Sequence, residues 1–112
     1  MQEREIRIYK NKKGKAPVLK WLSAIKNNKI KNQIKNRIRR LSLSHFGDYK
    51  HVGNGVYELR VHFGPSYRIY FGFFNEAVIV LLSGGEKNKQ QKDIEKAKLF
   101  WLDYKERYYE KN

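Results

Sequence analysis

The alternation of apolar and polar residues predicts an N-terminal strand followed by two helices. Residues 4–10 alternate, with two isoleucines on one side, as expected of a strand. Pro17 suits the first position of a helix, and apolar residues then recur three and four positions apart. Asn27 and Asn28 provide a break before a second helix. The apolar stripes of the two helices are Val18, Trp21, Leu22 and Ile25, and then Ile30, Ile34, Ile38 and Leu41.

The second half of the chain predicts an antiparallel meander and a last helix. Residues 42–50 are expected to form a loop and residues 53–55 a turn. Three strands follow, at residues 57–63, 67–74 and 77–83. The glycine pair at 84–85 is expected to end the sheet, and Asn88 and Gln91 have the spacing of a capping box. The apolar stripe of the last helix is Ile94, Ala97, Trp101, Tyr104 and Tyr108. The predicted class is α+β: a strand, two helices, a three-strand antiparallel meander and a C-terminal helix.

The first hairpin of the predicted meander brings two arginines together. The apolar residues of the two strands lie on the same face only if the residue numbers of each cross-strand pair add up to an even number. A pair of Val61 with Tyr67 meets this condition. Every such register places Arg60 and Arg68 on the other face, opposed or diagonal. Like charges that face each other destabilise a sheet unless something compensates them. Two interpretations remain: an Arg–Glu ladder on the surface that includes Glu58, or an anion site in which two guanidinium groups hold a phosphate or a carboxylate.

The next hairpin is expected to add more positive charge to this region. Residues 75–76 suit a two-residue turn, which would place Arg68 opposite Ser83. Lys87 and Lys89 follow shortly after that strand. They are expected to approach the same edge of the sheet as Arg68, so that three or four cations converge.

The charge of the chain indicates a polyanionic partner. Its 112 residues include 25 Lys or Arg and 11 Asp or Glu, a formal net charge of +14. Most of the excess lies in residues 1–56, which hold 15 basic and 3 acidic residues, whereas residues 57–112 hold 10 and 8. A positive charge of this size favours nucleic acid as the partner. A charge that only keeps the protein soluble, or one that binds an anionic membrane surface, would give the same composition. The candidate RNA-binding residues are Lys35, Arg39, Arg40 and Lys89.

Several classes of protein are excluded by what the sequence lacks. The chain has no cysteine, which excludes a disulfide scaffold, a thiolate nucleophile and a Cys-ligated metal. Its longest apolar run, residues 77–82, is far shorter than the roughly 20 residues of a membrane helix. The first residues carry no apolar segment of a secretory signal. The three histidines show no metal-ligand spacing, and no glycine-rich nucleotide-binding pattern occurs. We therefore expect a cytoplasmic protein without a metal or cofactor.

Two stretches of sequence carry a resemblance to a known family. They read VYELRVHFGPSYRIY over residues 56–70 and LSGGEKNKQQKDI over residues 82–94, and PVLKWL over residues 17–22 also fits. In these residues the chain resembles the RelE/ParE toxin superfamily, most closely its HigB-like branch of addiction-module killer or phage-derived Gp49-like proteins. The resemblance covers nearly the whole chain and implies a RelE-like fold in a single domain, residues 1–112.

The same resemblance implies the toxin of a type II toxin–antitoxin system. RelE- and HigB-like members are metal-free endoribonucleases that cut mRNA in the ribosomal A site. The implied partners are the ribosome, mRNA and a small antitoxin, commonly a helix-turn-helix protein encoded by the adjacent gene. The superfamily also includes ParE-like DNA gyrase inhibitors without nuclease activity, and a decayed toxin that only binds its antitoxin is a third reading. The fold alone does not separate these functions.

Roles for individual residues also follow from the resemblance. Arg68 matches a strand position whose arginine supports the scissile phosphate, and Arg60 lies where a basic residue often occurs on the preceding strand. Lys87 follows the glycines, where many RelE members carry arginine; lysine keeps the charge but lacks the bidentate fork. Several RelE toxins use a tyrosine near the C-terminus, whereas this chain has Asp93 in the comparable stretch. The candidates for acid–base catalysis are Asp93, Glu58 and His62.

Overall fold

The computed structural model describes residues 3–62 and 66–109, which form five strands, three α-helices and a short 3-10 turn. In chain order these are β1 (Glu5–Ile8), α1 (Pro17–Ala24), α2 (Asn28–Ser42), β2 (Tyr49–Gly53), β3 (Val56–Val61), β4 (Tyr67–Asn75), β5 (Val78–Glu86), the 3-10 turn (Lys87–Lys89) and α3 (Gln90–Tyr108). The predicted strand residue Phe63 and the next two residues, Gly64 and Pro65, lie outside the described residues. The predicted α+β class is confirmed.

The first two helices begin where the sequence predicts. Pro17 occupies the start of α1, where its fixed φ favours a helix and its missing N–H costs nothing. Asn27 caps α2, because its side-chain oxygen accepts hydrogen bonds from the backbone N–H groups of Lys29 at 2.9 Å and Ile30 at 3.2 Å. The predicted break between the helices is therefore confirmed.

The described strands form one mixed sheet in the order β1-β5-β4-β3-β2. β1 is parallel to β5, and the other neighbours are antiparallel. The core between the sheet and α1 and α2 includes Val18, Ile34, Leu59, Ile69 and Leu81. The core between the sheet and α3 includes Val56, Tyr70, Val80, Ala97 and Trp101. Both faces of the sheet are covered, so the polar residues that alternate along β3 and β4 lie near α3.

The sheet has more strands than the predicted meander and N-terminal strand provide. Residues 42–50 are expected to form a loop, but Tyr49–Gly53 forms β2 and pairs with β3 at the edge of the sheet. The first three residues of β2 are exposed, so no apolar alternation marks the strand in the sequence. The predicted turn after it is confirmed: Asn54 and Gly55 have φ of 55° and 78°, typical of an Asn-Gly hairpin.

The prediction that Gly84 and Gly85 end the sheet is wrong, because β5 continues through them. A methyl group on Gly84 would overlap the ring of Trp21 on one face of the sheet. A methyl group on Gly85 would overlap the carboxylate of Asp93 on the other face. The two glycines therefore allow side chains from α1 and α3 to approach the same strand closely.

Gly84→Ala is expected to lower the free energy of unfolding by about 1–3 kcal/mol, the usual cost of overpacking a core. The reason is that the rigid ring of Trp21 must move to admit the methyl group. Urea unfolding followed by circular dichroism measures the change. In a Trp21→Ala background the methyl group meets no ring, so the same substitution should cost much less. An equal loss in both backgrounds would show that the ring contact is not the cause.

The hairpin between β4 and β5 also differs from the predicted one. Its turn lies one residue later than expected, and the pairing of the two strands shifts twice along their length. Arg68 therefore pairs with Gly85, and Ser83 pairs with Tyr70. A shift in pairing of this kind places an extra residue in one strand, and the alternation of apolar residues does not reveal where. The partner predicted for Arg68 from the sequence is therefore wrong.

The last helix begins at Gln90 without the predicted capping box. Lys89 precedes the helix and its side chain makes no capping hydrogen bond, and Asn88 lies within the 3-10 turn. The apolar stripe is buried at Ala97, Trp101 and Tyr104. Tyr108 is exposed, so the stripe ends one turn earlier than predicted. Within residues 3–62 and 66–109, no helix has the length and apolar character needed to cross a membrane.

Candidate anion-binding site

Arg60 on β3 and Arg68 on β4 are directly opposed in the sheet. Val61 pairs with Tyr67 in the same register, which confirms the pairing expected from the alternation of the two strands. Because neighbouring positions of a strand point to opposite faces, both arginines lie on the side of the sheet covered by α3.

A single carboxylate lies between the two guanidinium groups. Oε1 of Glu58 is 3.3 Å from Nε of Arg60 and 3.3 Å from Nε of Arg68. The pairing of Glu58 with both arginines that the ladder interpretation expects is present, but Glu58 is fully buried and Arg68 is only 6% exposed, so its placement on the surface is wrong. Charges removed from water are costly unless they are paired, and here the carboxylate of Glu58 lies within ion-pair distance of both arginines.

Gln90, the first residue of α3, completes this group. Its Nε2 donates a hydrogen bond of 2.7 Å to Oε2 of Glu58, so the two carboxylate oxygens have different partners. We call the four residues Glu58, Arg60, Arg68 and Gln90 the arginine cluster. Nothing in the sequence singled out Gln90, which is 32 positions from Glu58 and meets it only when α3 packs on the sheet.

The two arginines of the cluster differ in accessibility. The side chain of Arg60 is 27% exposed, and its Nη1 lies 3.7 Å from the carboxylate of Asp48. Nη1 of Arg68 is buried and makes no hydrogen bond to any described residue. Buried polar groups normally have a partner, so this nitrogen has unused capacity to donate. The cluster therefore presents one guanidinium group to solvent and holds a second beneath it.

Three further polar side chains lie on the same side of the sheet. Tyr70 and Ser83 are paired across β4 and β5, and Asp93 extends from the first turn of α3 onto β5. Burial, together with the negative charges of Glu58 and Asp93, raises the pKa of the Tyr70 hydroxyl well above its ordinary value. Oγ of Ser83 and Oδ2 of Asp93 are buried and make no hydrogen bond within the described part of the chain. The cluster thus continues into a partly unsatisfied polar layer under α3.

Burial raises the pKa of the Asp93 carboxyl above its ordinary value of 3.8, although Lys96 and Lys89 act in the opposite direction. A carboxyl whose pKa is raised on folding reduces stability when it is ionised and not when it is protonated. Asp93→Asn is therefore expected to increase the free energy of unfolding near pH 7, with the gain shrinking as the pH falls toward 4. Urea unfolding of both proteins at several pH values measures this difference. A gain that is constant with pH would show that ionisation of Asp93 is not its source.

His62 lies beside the cluster through a shared acidic neighbour. Its Nε2 is 2.6 Å from Oδ2 of Asp48, the residue whose other oxygen approaches Arg60. The hydrogen bond from His62 is the main reason that the pKa of Asp48 is below its ordinary value. His62 is exposed, so it is accessible to a ligand. Asp48 was not a candidate in the sequence because it lies in the segment expected to be a loop.

Lys87 and Lys89 lie in the 3-10 turn and are exposed. The backbone N–H of Lys87 donates to the carbonyl of Ser66 at 3.1 Å, which ties the turn to the segment before β4. Lys89 is close enough to influence the pKa of Asp93. The turn therefore brings positive charge toward the polar layer under α3, and no contact joins either lysine side chain to Arg68 among the described residues.

The other candidate RNA-binding residues lie on α2. Lys35, Arg39 and Arg40 are exposed on that helix. Because α2 and α3 cover opposite faces of the sheet, these residues are separate from the arginine cluster. Arg37 connects the two regions, since its Nη2 donates to the carbonyl oxygen of Arg60 at 3.2 Å. Across residues 3–62 and 66–109, no three side chains of the metal-ligating types lie close enough to hold a metal ion.

Fold and site together define a basic α+β protein with a two-arginine cluster between its sheet and its C-terminal helix. The sequence model of the family described as phage derived protein Gp49-like (DUF891) matches residues 20–99, and the chain belongs to this family. It is a toxin-like family of the addiction-module killer type, and it is associated with endoribonuclease toxins. The chain is also similar to an uncharacterized protein of Haemophilus influenzae (strain ATCC 51907 / DSM 11121 / KW20 / Rd). The two are 47% identical over 79 residues, which cover 70% of this chain and 80% of that protein.

Proposed function

We propose that this protein is the toxin of a type II toxin–antitoxin system, with a RelE-like, HigB-like fold, and that it cleaves mRNA on translating ribosomes. Membership of the Gp49-like family supports the toxin role. The observation that carries the proposal of cleavage is the arginine cluster, in which Arg60 and Arg68 meet at one end of the sheet with only Glu58 between them. Arg60 is shared between Glu58 and Asp48. Nη1 of Arg68, in contrast, makes no hydrogen bond to a described residue and so remains available as a donor to a phosphate.

The chemistry that fits this site is an internal transesterification of RNA. The ribose 2′-oxygen attacks the adjacent phosphorus, forming a P–O2′ bond and breaking the P–O5′ bond. A base takes the proton of the 2′-hydroxyl, and an acid supplies a proton to the leaving 5′-oxygen. In this proposal Arg60, Arg68 and Lys87 stabilise the negative charge that develops on the phosphate oxygens.

The packing of the arginine cluster leaves fewer candidates for the general acid and the general base. Glu58 is enclosed by two arginines and Gln90, so it has no free path to a ribose hydroxyl. His62 is exposed and lies beside Arg60 through Asp48. Burial raises the pKa of the Asp93 carboxyl above its ordinary value, which is the direction that moves a carboxyl toward the working pH of an acid–base catalyst. We propose that the proton transfers use His62 and Asp93.

The remaining charge is proposed to hold the protein on ribosomal RNA in the cytoplasm. Lys35, Arg39, Arg40 and Lys89 are exposed and would contact phosphates without reading sequence. The proposed second partner is an antitoxin, of the helix-turn-helix type, encoded beside the toxin.

Mapping of mRNA 5′ ends in a reconstituted translation reaction tests the proposal. New 5′ ends are expected when ribosomes translate the message, and none when ribosomes are left out. Cleavage without ribosomes would make the protein a free ribonuclease. Intact mRNA together with inhibited growth would contradict the proposal, and inhibition of DNA supercoiling by gyrase would then support the ParE-like alternative.

A further inference from the structure

We infer that Glu58 is a positioning residue that holds Arg60 and Arg68 in a fixed arrangement for a phosphate, and that it is not the acid or base of the reaction. This inference rests on the proposed RNA cleavage and names the residue that sets the geometry of the site. It begins from the burial of Glu58, which has no exposed surface although it is a carboxylate.

Glu58 is held on both sides by groups from different elements. Oε1 lies 3.3 Å from each of the two arginine Nε atoms, and Oε2 accepts the hydrogen bond from Gln90 on α3. A carboxylate fixed from β3, β4 and α3 at once cannot rotate toward a ligand without breaking these contacts. It can, however, fix Arg60, whose Nε–H donates a hydrogen bond to this charged acceptor, and it attracts the guanidinium group of Arg68, whose Nε lies at the same distance without a hydrogen bond.

Without Glu58, the register of the sheet would drive the two arginines apart. Arg60 and Arg68 are opposed on neighbouring strands, a placement that is unfavourable for like charges. Glu58 lies on the same face, two residues before Arg60, and its carboxylate lies between them. The carboxylate therefore keeps both guanidinium groups at the same place, while also lowering the positive charge that a phosphate meets.

These two effects predict opposite changes in binding and in chemistry. Glu58→Gln keeps the size of the side chain and removes its negative charge. RNA should then bind about threefold more tightly, because a nearby negative charge is gone. Cleavage of bound RNA should fall roughly 100-fold, because displacement of a contact group by about 1 Å has costs of this order. A residue needed only for folding would not strengthen binding.

Three measurements test the inference. Fluorescence titration with an RNA whose 2′-oxygens are methylated gives affinity without cleavage, and single-turnover cleavage on ribosomes gives the rate. NMR of the arginine Nε–H groups reports whether Arg60 and Arg68 are held; we expect distinct, slowly exchanging signals in the natural protein and their loss in Glu58→Gln. Glu106→Gln is the matched control, since it removes one negative charge from an exposed position on α3 and should change none of the three.

Two further readouts separate positioning from acid–base catalysis and from misfolding. If Glu58→Gln does not fold, Glu58→Asp keeps the charge and shortens the side chain; it should leave affinity unchanged and lower cleavage about tenfold, because the misplacement is partial. In either variant the pH profile of the remaining cleavage should keep its shape. A profile that loses its acidic limb would overturn the inference and assign Glu58 as the base.

The outcomes for the inference and for the proposed function can be told apart. The inference is overturned if Glu58→Gln changes neither the affinity for RNA, nor the cleavage rate, nor the NMR signals of the arginines. The proposal of cleavage would still stand in that case. If the natural protein does not cleave mRNA, the proposed function fails. The predicted gain in affinity and loss of arginine signals would still establish that Glu58 organises the cluster.

Discussion

Arg60→Ala is expected to lower the rate of mRNA cleavage about 100- to 1,000-fold, the loss typical of removing one preorganised donor from a developing oxyanion. Arg60 is the partly exposed guanidinium of the arginine cluster, so it is the group that reaches a phosphate most directly. The free energy of unfolding should fall by about 1–3 kcal/mol, because Arg60 is partly exposed but its Nε donates a hydrogen bond to the fully buried Glu58. Single-turnover cleavage on programmed ribosomes and urea unfolding measure the two effects.

Arg107→Ala provides the control for this experiment. The side chain of Arg107 is also 27% exposed and also pairs with a carboxylate, that of Asp103, but it lies in the last turn of α3 and is not part of the arginine cluster. Its loss should leave the cleavage rate almost unchanged. A folded Arg60→Ala protein that cleaves at the natural rate would remove Arg60 from the proposed mechanism. Equal losses for Arg60→Ala and Arg107→Ala would indicate that general positive charge is what matters.

Arg68→Ala is expected to lower the free energy of unfolding by about 3 kcal/mol, near the lower end of the cost of removing one partner from a buried ion pair. Arg68 is buried against Glu58, and its loss leaves that carboxylate with only Arg60 and Gln90. Urea unfolding measures the change. Loss of toxicity in Arg68→Ala would therefore not by itself assign a role in catalysis, because the variant is also expected to be less stable.

A second substitution separates the two effects of Arg68. In the double variant Arg68→Met with Glu58→Gln, neither buried charge remains, so most of the lost stability should return. The double variant should cleave mRNA more slowly than Glu58→Gln alone, because the buried guanidinium is also absent. If the double variant is no more stable than Arg68→Ala, the unpaired carboxylate is not the cause of the instability. If it cleaves at the rate of Glu58→Gln, Arg68 is not needed for the chemistry.

The parts of the fold that the sequence predicts well are those with a clear local period. The helical spacing in α1 and α2 and the break at Asn27 and Asn28 define the two helices without tertiary information. The strand β2 was missed because its residues are exposed and polar and become a strand only by pairing with β3. Gly84 and Gly85 were misread because glycine signals a turn locally, whereas here it admits Trp21 and Asp93.

The arginine cluster was predicted only in part, because only its strand residues follow a local period. Alternation along β3 and β4 fixes the parity of their pairing, and this parity places Arg60 and Arg68 on one face, opposed or diagonal; the structure shows that they are directly opposed. The parity of the pairing does not determine whether the polar face of the hairpin is exposed to water or covered by another element. That is why a surface ladder of Glu58 with the arginines was one of the two interpretations, and why Gln90 and Asp48 were not recognised.

The sequence by itself therefore determined that two arginines share one face of a hairpin in a basic α+β protein, because a repeat of two positions is a local property of each strand. The tertiary structure decided that Glu58 is buried between them. α3 covers that face of the sheet and brings Gln90 to a carboxylate 32 positions away. Burial and charge pairing depend on which elements pack together, and this is set by the packing of the whole chain rather than by the pattern of any one segment.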